Sequence, residues 1–279
     1  MRHIPYAGIV KATESLLIKM NYELDNSFVS LIQKAKENET RDLAKSILND
    51  ILDNHDISKQ GDYPMCQDTG MVVVYVRMGE ECRVDGHLAD AIQEGVRNAY
   101  QKHYLRKSVV LHPFERTNSQ DNTPAIIHYE LIKGNQLTLK IAAKGAGSEN
   151  MSTLKMLTPT AGLEGVKQFV IDSVLAAGGR ACPPIILGIG IGGNLEKCAL
   201  LAKEALFRDL EDTSDDPIVK QLEEDLYTEV NKLNVGPMGV GGDTTCLAVK
   251  INTYPMHIAS LPVAVNIQCH ANRHCEITL

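Results

Sequence analysis

The hydrophobic pattern of the first sixty residues has the period of an α-helix. Apolar side chains recur at helical spacing from Ile9 to Met20 and again from Phe28 to Ala35. A third apolar stripe follows Thr40, which is the expected N-cap of a helix that ends near His55. The sequence therefore predicts a helical lead-in over residues 1–60.

From residue 71 onward the pattern changes to alternating strands and helices. Short β-branched and apolar runs predict strands at 71–76, 125–131, 137–143, 184–190, 245–251 and 261–266. Longer amphipathic runs predict helices at 89–104, 163–175, 194–207 and 218–233. The turn Lys133-Gly134-Asn135 is expected to join its two flanking strands as a hairpin, and the acidic segment 209–216 is expected to be a solvated loop. The predicted fold class is α/β (mixed α+β), a helical N-terminal segment followed by a mixed-sheet α/β body, in one domain spanning 1–279.

Composition and charge narrow the classes of function. The chain has 279 residues, a hydrophobic content of 44%, a formal net charge of −7, and 5% aromatic residues without Trp. Binding to phosphate backbones needs clustered Lys and Arg, whereas this chain has a net negative charge, so no nucleic-acid partner is expected. The sequence shows no signal peptide, and none of its apolar runs approaches the roughly 20 residues needed to cross a bilayer. We therefore expect no membrane association and predict a cytoplasmic location. There the 7 cysteines are expected to be thiols or metal ligands rather than disulfides.

Three cysteines stand in loops beside predicted strands. Cys66 and Cys182 each precede a strand, and Cys269 follows one. Catalytic residues favour such positions because a rigid sheet holds loop side chains in place. A cysteine followed by proline, as at Cys182, is common among cluster ligands. The spacing of these three cysteines is too wide for a zinc knuckle or a ferredoxin run, so the pattern alone leaves open whether they are metal ligands or small buried hydrophobes. Cys82 and Cys198 are expected to be small buried hydrophobes.

Two glycine-rich segments also invite a chemical interpretation. Gly188–Gly193 matches G-x-G-x-x-G, but the helix after it leads into the acidic segment rather than a second buried strand. We therefore favour a close backbone approach, with helix N-terminal amides facing an anion or cluster, over a nicotinamide-dependent oxidoreductase. Lys144–Asn150 offers backbone N–H groups and a lysine to a carboxylate, and Arg106 offers a guanidinium suited to bidentate binding.

Taken in order, these segments resemble the N-terminal domain of class I fumarases, a family that also includes L-tartrate dehydratase. The resemblance runs from about Ile9 to the end of the chain. The segments that carry it are Cys66–Gly70, Lys144–Asn150, Ala181–Pro184 with Gly188–Gly193, Gly241–Thr245, His257–Ala264 and Cys269–His274.

The resemblance implies a 4Fe-4S cluster held by three cysteines, with the fourth iron open to substrate. Carried over by motif, the ligands are Cys66, Cys182 and Cys269, and Cys275 is a weaker candidate for the third position. The positions implied to touch a small dicarboxylate substrate are Gln67, Asp68, Arg106, Lys144, Gly145 and Gly147. Asp68 is implied to be catalytic, because it would hold or polarise the substrate hydroxyl. Ala146 stands where many relatives have glycine.

The reaction implied is the reversible hydration of fumarate to L-malate, a step of the tricarboxylic acid cycle, by an oxygen-sensitive hydro-lyase. In the family the proton-abstracting base and several carboxylate-binding groups belong to a C-terminal domain, so we expect a separate beta subunit and a higher oligomer of alpha/beta pairs. Two alternatives are an L-tartrate dehydratase alpha subunit and a non-catalytic iron–sulfur or redox protein. The Lys144–Asn150 and His257–Ala264 segments favour fumarase, and electron carriers normally use four protein ligands rather than three.

Overall fold

The computed structural model describes residues 1–61 and 63–279. These residues form two compact units. Unit 1 consists of Met1–Leu24, Asn54–Ala146 and Arg273–Leu279, and unit 2 consists of Asp25–Asp53 and Gly147–Asn272. Helices and mixed sheets make up the chain, and its first sixty residues are mainly helical, so the predicted fold class is confirmed.

The helices are α1 Tyr6–Tyr22, α2 Asn26–Asn38, α3 Asp42–Lys59, α4 Leu88–Lys102, α5 Ala146–Glu149, α6 Gly162–Ala177, α7 Leu195–Ala205 and α8 Pro217–Lys232. The strands are β1 Arg2–Pro5, β2 Met71–Gly79, β3 Cys82–Asp85, β4 Ile126–Ile132, β5 Leu137–Lys144, β6 Thr153–Leu157, β7 Ile185–Gly192, β8 Cys246–Tyr254, β9 Leu261–Gln268 and β10 His274–Thr278. The pattern of apolar positions did not predict the short strands β1, β3, β6 and β10.

Unit 1 contains a four-stranded sheet in the order β10-β5-β2-β4. Strand β2 is parallel to β4 and antiparallel to β5, which is antiparallel to β10. Alternate side chains of β2 and β5 join helices α1 and α4 in one hydrophobic core, represented by Val74, Leu139, Leu17 and Ile92. The sheet therefore has its hydrophobic core between these two strands and the two helices.

The predicted hairpin between β4 and β5 is wrong, because β2 lies between these two strands. Their connection crosses the end of β2 instead. There the amide of Gly79 donates to Gln136 O, and a Cβ at Gly79 would lie 2.3 Å from Gly134 O. Only glycine permits this crossing. β2 is almost wholly buried while β4 is largely exposed, which fits a central and an edge strand respectively.

Unit 2 contains a second four-stranded sheet, in the order β6-β9-β7-β8. Helices α6 and α8 share a hydrophobic core with β7 and β9, and α7 packs against the same sheet through Cys198 and Ala202. A Cβ at Gly188 would lie 2.2 Å from Ala202 O, and one at Gly190 would lie 2.0 Å from Cys198 O. These glycines belong to β7 itself and let α7 approach it closely.

The predicted close backbone approach at Gly188–Gly193 is therefore present, but its purpose is helix packing. The predicted use of helix N-terminal amides for an anion finds no support, because the side chain of Asn194 caps α7 by accepting from Lys197 N at 3.1 Å.

The Gly241–Thr245 segment is held by the buried carboxylate of Glu39, which is 4% exposed. Glu39 accepts the main-chain amides of Asp243 and Thr244, together with those of two residues near the start of α3. Thr40 was predicted to be the N-cap of α3, and this prediction is wrong. The helix begins at Asp42, and the Thr40 hydroxyl donates to Asp243 Oδ2 at 2.6 Å.

The acidic segment 209–216 is largely exposed, as predicted, but Asp212 is fixed within it. Asp212 accepts from Arg208 and from Lys250, whose side chain is buried. Arg208 also pairs with the buried Glu223, and these two residues bind the main-chain carbonyl and amide of Ile251 in β8. The network thus satisfies main-chain groups on an edge strand.

Candidate active site

In unit 1, three polypeptide segments meet at one edge of the sheet. Met71 at the start of β2 lies opposite Lys144 at the end of β5, and His274 at the start of β10 lies opposite Ala142 of β5. The residues just before β2, just after β5 and just before β10 are therefore neighbours. This edge brings the Cys66–Gly70 loop beside Gly145, Ala146 and Arg273.

At this edge of the sheet, main-chain amides hold the carboxylate of Asp68 in one orientation. Its Oδ1 accepts the amide of Gly70 at 2.9 Å, and its Oδ2 accepts the amide of Ala146 at 2.8 Å. The donor at residue 146 is a main-chain N–H, so an alanine there serves as well as a glycine. A Cβ added at Gly145 would lie 3.3 Å from Asp68 Oδ2, which leaves little space for a side chain at that position.

Buried side chains donate hydrogen bonds to the main chain that follows Asp68. Tyr100 donates to Thr69 O at 2.5 Å, and Asn122 donates to Gly70 O at 3.0 Å. Burial raises the pKa of the Tyr100 phenol, so it stays protonated and keeps donating. The Thr69 hydroxyl in turn donates to Arg106 O at 3.0 Å. These contacts fix the loop but were not predicted from the sequence.

The other residues implied to bind substrate differ in exposure. Gln67 and Arg106 are exposed, and the Cys66 thiol donates to Gln67 Oε1 at 3.7 Å. Lys144 is only 5% exposed, at the end of β5. Gly147 belongs to unit 2, where it begins the segment that follows Ala146.

In unit 2, the loops of Cys182 and Cys269 are in contact. Cys182 precedes β7 and Cys269 follows β9, and these antiparallel strands pair Ile186 with Gln268. The main-chain amide of His270 donates to Cys182 O at 3.3 Å, and His270 Nδ1 lies 3.0 Å from the same oxygen. Cys182 has a left-handed backbone with φ of 53°, followed by a cis peptide bond between the two prolines. The structure thus brings together two of the three predicted ligands within this unit.

Burial separates the cysteines into two groups. Cys82, Cys198 and Cys246 are buried, and burial raises the pKa of Cys198 and raises that of Cys246 to about 12, so both remain thiols. Cys275 is half-buried within β10, against the core of unit 1. Cys66, Cys182 and Cys269 are half-buried in loops at strand ends, where their sulfur atoms are accessible to an iron–sulfur cluster.

Neither unit, over its described residues, carries a set of three His, Cys, Asp or Glu side chains placed to hold a metal ion by itself. The predicted ligand set draws Cys66 from unit 1 and two cysteines from unit 2. The chemistry of the three loop thiols fits a cluster, and the assignment stays a prediction.

The second half of the Lys144–Asn150 segment has a structural anchor that the sequence did not reveal. Glu149 pairs with Lys203 of α7 and accepts from Asn266 of β9. The Ser152 hydroxyl accepts the amide of Ile267. These contacts attach the segment to the strand that leads into Cys269.

Across the described residues, no helix has the length and apolar character needed to span a membrane.

The fold and these loops define a mixed α/β protein that carries a fixed carboxylate and accessible thiols at sheet edges. The family model described as Fumarate hydratase (Fumerase) matches residues 10–278, and the chain belongs to this family of hydro-lyases. A putative L(+)-tartrate dehydratase subunit alpha of Methanocaldococcus jannaschii is 40% identical over 249 residues, which cover 87% of each chain. The L(+)-tartrate dehydratase subunit alpha of Escherichia coli strain K12 is 28% identical over 265 residues, covering 91% of this chain and 87% of the relative.

Proposed function

We propose that this chain is the alpha subunit of a hydro-lyase that interconverts fumarate and L-malate. The observation that carries the proposal is the Asp68 carboxylate, held by two main-chain amides two residues from the half-buried thiol of Cys66. A fixed acceptor beside a candidate metal ligand is what the handling of a substrate hydroxyl requires. Membership of the fumarate hydratase family supports the reaction type.

The proposed cofactor is a 4Fe-4S cluster with Cys66, Cys182 and Cys269 as ligands. When bound, a cluster with three protein ligands supplies an open iron that acts as a Lewis acid toward a hydroxyl group. The left-handed backbone at Cys182 and the contact between His270 and Cys182 O hold the two cysteine loops of unit 2 together. Cys275 is less suited, because it lies within a strand and packs against a core.

The role proposed for Asp68 is to orient the substrate hydroxyl and exchange its proton. Each carboxylate oxygen accepts one amide and keeps lone-pair capacity for a further hydrogen bond. Gln67 and Arg106 are exposed, and Arg106 O is bonded to Thr69 in the same loop, so both are proposed to bind the substrate carboxylates. Lys144, Gly145 and Gly147 remain proposed members of the same site.

L(+)-tartrate is a second candidate substrate, because the similar proteins carry that name. Both substrates are small dicarboxylates, and the groups on this chain suit either one. Assays of fumarate, mesaconate and L(+)-tartrate with one enzyme preparation separate the candidates. A higher kcat/KM for tartrate than for fumarate would reverse our preference.

We also propose that a separate beta subunit completes the active site and supplies the proton-abstracting base. The word alpha in the names of the similar proteins supports a second subunit. The enzyme is proposed to be a cytoplasmic oligomer of alpha/beta pairs. Cluster-containing alpha chain without its partner should then turn over little substrate, and addition of the partner should restore activity.

The test of the cluster compares wild type, Cys66→Ser and the matched control Cys275→Ser, each purified without oxygen. Iron, acid-labile sulfide and the visible spectrum are measured after co-expression with the partner. We expect about four irons per chain in wild type and in the control. Cys66→Ser should lose most of this iron. Retention of full iron by Cys66→Ser would contradict the proposed ligand, and loss of iron from Cys275→Ser as well as from Cys66→Ser would assign the third ligand position to Cys275 instead of Cys269. A cluster that cycles reversibly without hydro-lyase activity would favour a redox protein.

A further inference from the structure

Arg273 is a buried arginine next to the Asp68 loop, and no role follows for it from the proposed reaction. It is 2% exposed and directly precedes β10. Its main-chain carbonyl accepts the amide of Ala143 in β5, so the residue is held at the sheet edge. Its Nη1 donates to the main-chain carbonyl of Asp68 at 2.5 Å and to Asn21 Oδ1 at 3.1 Å. The guanidinium thus ties the Asp68 backbone to helix α1.

The described residues offer the other nitrogens of this guanidinium none of the hydrogen bonds that buried donors normally make. Within the described part of the chain, Nε and Nη2 have no hydrogen-bond partner and are shielded from solvent. Buried donors without partners are unfavourable, and an apolar side chain of similar length would avoid this cost. Packing alone therefore gives no reason for an arginine here.

The surroundings of Nη2 indicate what the charge acts on. A Cβ at Gly145 would lie 3.4 Å from Nη2 and 3.3 Å from Asp68 Oδ2. The cation and the carboxylate therefore flank the same glycine. A buried positive charge near a carboxylate attracts it in a medium of low dielectric constant, even without a direct hydrogen bond.

We propose that Arg273 is a positioning residue for Asp68, an inference that rests on the proposed function. It fixes the main chain at Asp68 through Nη1, and its charge holds the carboxylate in the orientation that accepts the amides of Gly70 and Ala146. Because the guanidinium nitrogens are buried, Arg273 acts through Asp68 rather than on the substrate. Its removal should lower kcat more than it changes KM.

The kinetic test uses Arg273→Met and Arg273→Lys, co-expressed with the partner subunit and purified without oxygen. Arg208→Met is the matched control, since Arg208 is a largely buried arginine of the unit 2 network and lies outside the proposed site. For Arg273→Met we expect iron content as in wild type, KM within about threefold, and kcat per cluster lowered about 30- to 100-fold, as for a misplaced catalytic group. Arg273→Lys keeps the charge and should recover at least about fivefold of this loss. Arg208→Met should lower the melting temperature but keep kcat. A kcat of Arg273→Met within about twofold of wild type, or a loss that follows iron content, would overturn the proposal.

A second measurement does not depend on activity. Hydrogen exchange in the full-length chain without cluster reports on the amides of Gly70 and Ala146, which Asp68 accepts. Exchange in the peptides that contain them should quicken in Arg273→Met and remain near wild type in Arg273→Lys and Arg208→Met. Unchanged exchange in Arg273→Met would overturn the positioning role. If wild type with its partner hydrates or dehydrates none of the candidate dicarboxylates, the proposed function fails, and hydrogen exchange still decides the role of Arg273.

Discussion

At the scale of single residues, Asp68 is held by main-chain donors from two segments far apart in sequence. Gly70 is two residues away, whereas Ala146 follows β5. The antiparallel pairing of β2 with β5 makes this possible, because it places the start of one strand beside the end of the other. The sheet therefore fixes the carboxylate more firmly than its own loop alone would.

Replacement of Asp68 by Asn should spare the cluster but lower turnover by about 10²-fold or more, because an amide handles a proton poorly and its NH₂ group cannot accept a backbone amide. Iron content and kcat of Asp68→Asn are the quantities to measure. Asp85→Asn is the control, since Asp85 is an exposed carboxylate of the same unit that pairs with His3. Turnover near that of wild type in Asp68→Asn would remove this residue from the mechanism.

The sequence predicted Asp68 but not the residues that support it. Asp68 stands in a compact motif with Cys66, and short motifs can be recognised without knowledge of the fold. Tyr100 reaches the same loop from a helix, Asn122 from a long connection, and Arg273 from the position just before the last strand. Such contacts depend on tertiary pairing, which hydrophobic periodicity does not encode.

At the scale of elements, most helices and strands were predictable, but the pairing of the strands was not. β4 and β5 are separated by a short glycine-containing turn, the usual signal for a hairpin. The more apolar β2 nevertheless inserts between them, since its central position buries both faces. Local sequence thus identifies a turn, whereas competition among strands for burial decides which of them pair.

Substitution of Gly190 by Ala should lower the free energy of unfolding by at least about 2 kcal/mol. The added Cβ would lie 2.0 Å from Cys198 O and 2.6 Å from Ala202 N, so α7 would have to move away from β7. Gly8→Ala makes the same change in α1, where nothing lies within 4 Å of the new atom. That control should keep or raise stability, by up to about 1 kcal/mol. Equal urea midpoints for the two variants would contradict the proposed packing role.

At the scale of the whole molecule, the two four-stranded sheets share one pattern of pairing. Each has an edge strand parallel to its neighbour, followed by two antiparallel pairings. Cys66 precedes β2 and Cys182 precedes β7, and these strands hold equivalent places in their sheets. The amino-acid sequence contains no detectable repeat, so this similarity lies in topology and was not predictable from sequence patterns.

Several carboxyl groups in both units have lowered pKa values, and these make the folded chain more stable at neutral pH than in acid. Burial by itself would raise the pKa of Asp121 and of Asp212. Hydrogen bonds from Thr123 to Asp121 and from Arg208 to Asp212 outweigh that effect, so the pKa of each is lowered. Hydrogen bonds likewise lower the pKa values of Asp225 and Asp243.

These shifts predict that the free energy of unfolding falls in acid. A lowered pKa in the folded state means that the unfolded chain binds more protons, so stability rises with pH. The contribution is fully present above the ordinary carboxyl pKa of about 4 and is lost as the pH falls through the folded values. Urea unfolding of the full-length chain between about pH 5 and 3 measures this slope. Asp212→Asn should be less stable at pH 5 and should show a shallower slope, because its network with Arg208 and Lys250 no longer contains a titrating carboxylate. A wild-type slope in Asp212→Asn would mean that the Asp212 carboxyl binds protons equally well in the folded and unfolded chain, which would contradict its lowered pKa.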